Sequence, residues 1–465
     1  MRFDLINRNV EWQDFAINTC FAYATSDQLG ILRPKVEYDY GFVIGTCQKK
    51  RTSAAVWASK LATILKSGII GAYQRTSNAS CTRYAFVKMQ STRSITIRNL
   101  SFRLFMLLLV AASAASGSPS SKTEDNEVPL SEPLIVKWRY QSDRLTNLTP
   151  VSDSRNVYVP LSGGSIIALA AGSGQLVWRT DAGGELSAAP VADDRNVYLA
   201  TEYHEGDSEQ SPVRGALRAI SKDTGVTRWL RTLSAPVRGS MALSALRLFA
   251  GTSDGRVYAF DNNNGLSVWI KQFGQPLSIQ PAVYGDRLYL NADAQTLVAL
   301  NVANGNPLWR YRAQTPISSS AAVANGRVFF GSTDGSIYAV NEQQSKLLWR
   351  HRTGASVQSV MLLENGVVAA SLDNFAYLLS VKNGAIIWRQ LLPGRIASRP
   401  ITSTDGALFT PLSTDSAVVL RLKDGKPVNN LPLGEENSSS AAPVIGAKRL
   451  FITTPHAVLA FAPPH

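Results

Sequence analysis

Beyond about residue 120 the chain alternates short apolar runs with clusters of glycine, aspartate and asparagine, and no stretch there keeps the 3.6-residue period of an amphipathic helix. Runs such as "GRVYAF" and "NGRVFFG" are rich in β-branched and aromatic residues, and DG, NG or NNG punctuates them as hairpin turns do. The expected elements are therefore short antiparallel strands, and the region is all β.

The pattern recurs. "FAGTSDGRVYAFDNNNGLSVW" (Phe249 to Trp269) reappears as "FFGSTDGSIYAVNEQQSKLLW" (Phe329 to Trp349), as "YLNADAQTLVALNVANGNPLW" (Tyr289 to Trp309) and more loosely as "VAASLDNFAYLLSVKNGAIIW" (Val368 to Trp388). Trp178, Trp229, Trp269, Trp309, Trp349 and Trp388 close six such units, most of them about 40 residues apart. The longer step to Trp229 contains "TEYHEGDSEQSPVRG", a polar insertion between two strand-like runs that fits a loop. Unit starts counted independently follow Pro150, Pro190, Pro236, Pro281, Ala321, Val360, Pro400 and Pro443, which makes eight. The seventh unit has Asn429 where tryptophan is expected, and the eighth stops before its last strand. "PLIVKWRY", with Trp138 one period before Trp178, supplies that strand from the other end. The expected fold is an eight-bladed β-propeller of four-stranded antiparallel blades over 134–465. The strand at about 134–140 completes the last blade, so that closure removes exposed sheet edges.

The unit "DGxxYAxDxxxGxxxW" resembles the pyrroloquinoline-quinone (PQQ)-like repeat of quinoprotein alcohol dehydrogenase-like propellers. That resemblance implies that Trp138, Trp178, Trp229, Trp269, Trp309, Trp349 and Trp388 are structural staples docked between neighbouring blades. A buried indole brings a large apolar area and an N–H that needs a partner.

The front of the chain differs. "MQSTRSITIRNLSFRLFMLLLVAASAASGS", from Met89, sets Arg93, Arg98 and Arg103 before an apolar run and then small residues, the plan of a secretory signal peptide over 89–115. The run is shorter than the roughly 20 apolar residues of a spanning helix. Residues 1–88 are then expected to be a misassigned N-terminal extension, and 116–133, small, polar and charged, a flexible linker. Cys20, Cys47 and Cys81 all lie in the first 88 residues. A large propeller core does not require disulfides for export. Of the charged residues, 15 basic and 6 acidic lie in residues 1–118, so the overall +13 falls to +4 in the remainder and carries no argument for nucleic acid. The expected location is the periplasm or the periplasmic face of the outer membrane, with no transmembrane helix in the mature chain and a monomer by itself.

Catalytic chemistry is sparse. His204, His351, His456 and His465 lack metal-ligand spacing, and Asp254 and Asp334 head DG turns where their carboxylates serve the local backbone. The resemblance allows a PQQ-dependent dehydrogenase holding its quinone with calcium. However, the blades are near minimal length, and no cysteine follows Cys81 to build a vicinal disulfide or a haem attachment site. No enzyme activity, metal or cofactor is expected. The architecture resembles instead the BamB-type propellers of the outer-membrane β-barrel assembly machinery. Within it "LRTLSAP", Leu230 to Pro236, is similar to that family's LR-x-x-SAP segment, which implies Leu230 and Arg231 as partner contacts. Arg139, Arg179, Arg310, Arg350 and Arg389 also follow closing tryptophans, so a repeat-wide basic position accounts for Arg231 equally well. Two departures from the family are evident: "VAASAASGS" has no cysteine for a lipid anchor, and "QPLSIQPAV" has none of the acidic residues of the neighbouring family loop. The expected role is a protein-interaction scaffold with an envelope partner, with a dehydrogenase and a sensor or carbohydrate-binding propeller as alternatives.

Overall fold

The computed structural model describes residues 128–464 apart from 207–210 and 365, together with three strands nearer the N-terminus. Those three, Tyr40–Cys47, Ala72–Thr76 and Cys81–Lys88, form an antiparallel sheet in which the last strand lies between the other two. They belong to a unit separate from the propeller. The expected signal peptide at 89–115 and the first part of the expected linker lie outside the described residues.

From residue 135 onward the chain folds as an eight-bladed propeller. Blade 5 is representative: Ala322–Ala324, Arg327–Gly331, Ser336–Asn341 and Leu347–Arg352 pair antiparallel in that order. The second and third strands of each blade are buried along almost their whole length, whereas the fourth alternates between buried and exposed. A strand sandwiched between neighbouring blades has no polar face to offer, so these strands read as continuous apolar runs. Blade 8 takes Val444–Gly446, Arg449–Thr453 and Ala457–Ala462 from the C-terminal end and Ile135–Gln141 from the front, with Trp138 opposite Ala460. Ring closure by the N-terminal strand is thus as the repeat count required.

The apolar core is divided into eight clusters, one for each seam between adjacent blades. In six seams an indole crosses the gap. Trp138, Trp178, Trp229, Trp269, Trp349 and Trp388 donate their Nε1–H to the carbonyls of Ala171, Lys222, Asn262, Val302, Val381 and Leu422 of the next blade, at 2.8–3.1 Å. Each ring also lies on the glycine of that blade's last turn. At Gly265, where φ is +68°, an added Cβ would stand 2.6 Å from the Trp229 ring. These glycines supply both a left-handed turn and the absence of a side chain.

The remaining two seams are built differently. Opposite Trp309 the turn residue is Ser345 at φ +50°, and the carbonyl that should receive the indole, Glu342 O, accepts Arg287 Nη1 instead at 2.8 Å. Trp309 Nε1 consequently has no partner. Between blades 7 and 8 there is no turn to receive an indole, because the third and fourth strands of blade 8, Ala457–Ala462 and Ile135–Gln141, are not consecutive and no hairpin joins them. Residues 128–133, expected to belong to the flexible linker, fill this seam: Val128 and Leu130 are fully buried beside Leu408, Leu431 and Phe461. Asn429, at the tryptophan position, donates its amide to Leu130 O and Glu132 O at 3.3 and 2.7 Å. Ser131 N donates to Asp405 Oδ2 at 3.2 Å. The linker boundary was misplaced because polar composition hid two apolar residues whose partners lie some 280 residues further along the chain.

Replacing Ser345 by glycine removes the cost of a side chain in the left-handed region, and we expect about 1 kcal/mol of stabilisation, seen as a higher denaturant midpoint. Leu130→Ala should cost about 3 kcal/mol, as for other fully buried leucines, with a lower midpoint. A freely moving linker residue would leave it unchanged.

Candidate functional site

The LR-x-x-SAP segment leaves blade 2 along its outer strand, Thr227–Leu233, and enters the loop leading to blade 3. Its last residues are tied into the protein. Ser234 Oγ donates to Asp254 Oδ2 at 2.7 Å, Arg214 Nη1 donates to Ser234 O at 3.3 Å, and Ala235 is buried against Gly215. Burial works to raise the Asp254 pKa, but the hydroxyls of Thr252 and Ser234 and the Arg256 charge outweigh it and hold the carboxyl below its usual range. Asp254 is therefore a turn acceptor, as its place in a DG turn implied.

Arg231 is committed to the seam as well. Its Nε donates to Gly265 O at 2.8 Å, Nη2 to Asn264 O at 2.7 Å and Nη1 to Leu230 O at 2.7 Å. Its guanidinium carbon lies 6.0 Å from the centroid of the Trp229 ring. Arg231 does not belong to the repeat-wide basic row, as its spacing from Trp229 shows. Arg139, Arg179, Arg310, Arg350 and Arg389 directly follow their tryptophans, whereas Arg231 stands two residues after Trp229. Side chains one apart in a strand point to opposite faces. The position Arg231 occupies faces the next blade: there Thr180 Oγ1 donates to Gly225 O at 2.8 Å, and Lys271 Nζ to Asn306 Oδ1 at 3.3 Å.

The residue of blade 2 that does occupy the basic row is Leu230, and in blade 3 it is Ile270. Five other blades carry arginine in this row, as when Arg179 Nη2 donates to Ser165 Oγ at 3.1 Å or Arg389 lies 5.4 Å from the Phe375 ring centroid, and blade 7 carries Asn430. At blades 2 and 3 the row turns apolar: Leu230 is 42% and Ile270 50% exposed, with Val268 at 41% on the same face of the blade 3 strand. Val226, Leu246 and Leu266, in nearby turns, are also exposed. Exposed apolar side chains on outer strands occur in most blades, but only here is the guarding cation missing from two adjacent blades.

Around the propeller axis the equivalent inner-strand positions are Thr149, Ala189, Ser240, Gln280, Ser320, Ser359, Arg399 and Ala442. No carboxylate stands among them, whereas calcium sites usually draw on Asp or Glu. Among the described residues no three of His, Cys, Asp and Glu gather as a metal site would require. His351 lies in an outer strand, with its ring centroid 6.3 Å from that of Tyr377, and burial holds its pKa below the usual histidine range.

Eight four-stranded blades, indoles stapling the seams and an N-terminal strand closing the ring define a PQQ-like β-propeller. The family model described as outer membrane protein assembly factor BamB matches residues 109–211, 213–320 and 306–462, and the chain belongs to that family. A search of curated protein sequences gave no match. Among solved structures, the crystal structure of BamB from Moraxella catarrhalis aligns with a TM-score of 0.60 at 15% identity, covering 71% of this chain and 100% of that one. The computationally designed Ika8 protein aligns with a TM-score of 0.60 at 14% identity over 69% of this chain and 97% of its own. Because a designed protein matches equally well, these two likenesses speak to the fold alone.

Removing the three carbonyl contacts in Arg231→Ala is expected to destabilise the protein by about 1–3 kcal/mol, given the usual worth of bonds from a charged donor. Leu230→Glu, on the open face of the same strand, should change stability by less than about 0.5 kcal/mol. Paired denaturation curves distinguish a seam residue from a surface residue.

Proposed function

We propose that this chain is a non-enzymatic, exported propeller that acts as a protein-interaction scaffold in outer-membrane β-barrel protein assembly. The observation that carries the proposal is the interruption of the basic row at Leu230 and Ile270, which puts an unguarded apolar patch beside the family's LR-x-x-SAP segment. Membership of the assembly-factor family supports the process, and the export plan from Met89 supports an envelope location. Among the described residues no helix is long and apolar enough to cross a membrane.

The partner is an envelope protein of the β-barrel assembly machinery. Leu230 supplies apolar contact on the open face of the outer strand. Arg231 holds that strand against the blade 3 turn, so its role in docking is to position Leu230. A rigid sheet lets such a patch bind without paying for the ordering of a loop.

Co-purification from envelope extracts tests the proposal. Wild-type protein should recover a component of the barrel assembly machinery, and Leu230→Glu or Ile270→Arg should reduce recovery about tenfold, as expected for a contact worth one to two kcal/mol. Recovery of no envelope protein, or equal recovery by both variants, would count against it.

A further inference from the structure

Arg399 belongs to a ring of eight equivalent inner-strand positions, several of which touch the neighbouring blade. Ser240 and Ala189 form the one parallel bridge between blades there. Ser320 Oγ donates to Gln280 O at 2.9 Å, Gln280 Nε2 to Met241 O at 3.3 Å, and Ala442 N to Thr149 Oγ1 at 3.0 Å. These contacts join blades 2 to 5 in succession and blade 8 to blade 1, on the innermost strands, and Arg399 holds the equivalent register in blade 7, so its position belongs to the wall of the central passage of the propeller.

Arg399 is the only charged residue of the eight. Its neighbours in sequence, Ser398 and Pro400, are buried, while Arg399 itself is open to solvent. At the same time the surrounding protein depresses its pKa by desolvation, with no acidic group acting in the opposite direction. Solvent contact and dense surroundings hold together for a side chain inside a water-filled passage. The guanidinium has no hydrogen bond or ion pair among the described residues. The one other cation in this part of the wall, Arg238, is already paired with Glu202 at 2.7 Å.

Glu202, the carboxylate beside Arg238, comes from the second strand of blade 2, and the inner strands themselves carry no acid at this level. The inner-strand segments 147–151 (NLTPV), 187–191 (SAAPV), 238–242 (RGSMA), 278–282 (SIQPA), 318–322 (SSSAA), 357–361 (VQSVM), 397–401 (ASRPI) and 440–444 (SAAPV) contain neither Asp nor Glu. The blade 6 residue at the level of Arg399 is Ser359, and the blade 8 residue is Ala442, both small. A planar fork of N–H donors open to the passage, with no hydrogen-bond or ion-pair partner among the described residues, suits a bidentate oxyanion.

We propose that the central passage binds a small oxyanion, a carboxylate or phosphate compound, through the Arg399 guanidinium. The neutral hydroxyl and amide groups of Ser320, Ser359, Gln280 and Thr149 leave room for the body of the ligand and do not discriminate between the two oxyanion types. The passage site is separate from the outer-strand patch of blades 2 and 3, so either can exist without the other.

Isothermal titration of the purified protein with inorganic phosphate and, separately, with citrate at low ionic strength provides the test. At least one of the two should bind saturably with a stoichiometry near one. Arg399→Gln should weaken binding about tenfold or more, and Arg399→Lys, which keeps the charge but not the fork, should weaken it less. Ser359→Glu, which sets a carboxylate in the neighbouring blade at the same level, should abolish binding without removing the arginine, and its unfolding midpoint reports whether the ring stays intact. Binding of phosphate alone, or of citrate alone, identifies which oxyanion the passage prefers and supports the site. The proposal is overturned if wild-type protein binds neither ion, or if binding survives unchanged in Arg399→Gln and Ser359→Glu.

Discussion

The interaction on which the rest of this molecule depends is the indole that leaves one blade and lies on the turn glycine of the next. A blade whose middle strands are apolar on both faces cannot bury itself alone, and each gains its stability only when neighbours cover it. The tryptophan converts that general demand into a specific register. Its ring packs where a Cβ would collide, and its N–H reaches one particular carbonyl. Within its own blade the same ring meets an aromatic residue of the second strand, as with Trp229 and Tyr198 at 5.8 Å between centroids. Six of the eight seams are thus bonded, filled and aligned by a single side chain.

The two irregular seams show what that device requires. Trp309 keeps its position although Ser345 replaces the glycine and Arg287 occupies the receiving carbonyl. Packing alone suffices there, at the expense of an unsatisfied N–H. The seam between blades 7 and 8 lacks the receiving turn altogether, and an indole there would have nothing to lie on. Asn429 takes the place instead and bonds the backbone of the incoming N-terminal segment, while Val128 and Leu130 supply the apolar volume. Ring closure therefore involves more than the pairing of Ile135–Gln141 with Ala457–Ala462. The residues ahead of that strand complete the seam as well.

The same repetition makes departures from it informative. On the outer strands a row of arginines keeps apolar edges from meeting other chains, a common protection for exposed strands. It is lost in blades 2, 3 and 7, where Leu230, Ile270 and Asn430 stand, and only in the adjacent blades 2 and 3 does an apolar residue replace it. On the inner strands a ring of small neutral residues is broken once, by Arg399. Each departure is visible only against the positions that keep the pattern.

Sequence by itself determined the all-β class, the number of blades, closure by the N-terminal strand and the structural role of the tryptophans, because each is a local pattern repeated many times along the chain. Tertiary structure alone decided the rest. It showed what Arg231 does: its two-residue offset from Trp229 is legible in the sequence, but the carbonyls of Gly265 and Asn264 that it reaches belong to the next blade. It moved 128–133 from linker to core, because Leu130 finds Leu431 and Phe461 only once the ring has closed. It also brought Arg399 level with seven neutral residues scattered over the whole propeller. Repetition is legible in a linear sequence, whereas the neighbours of a residue across a seam or an axis exist only after the blades have assembled.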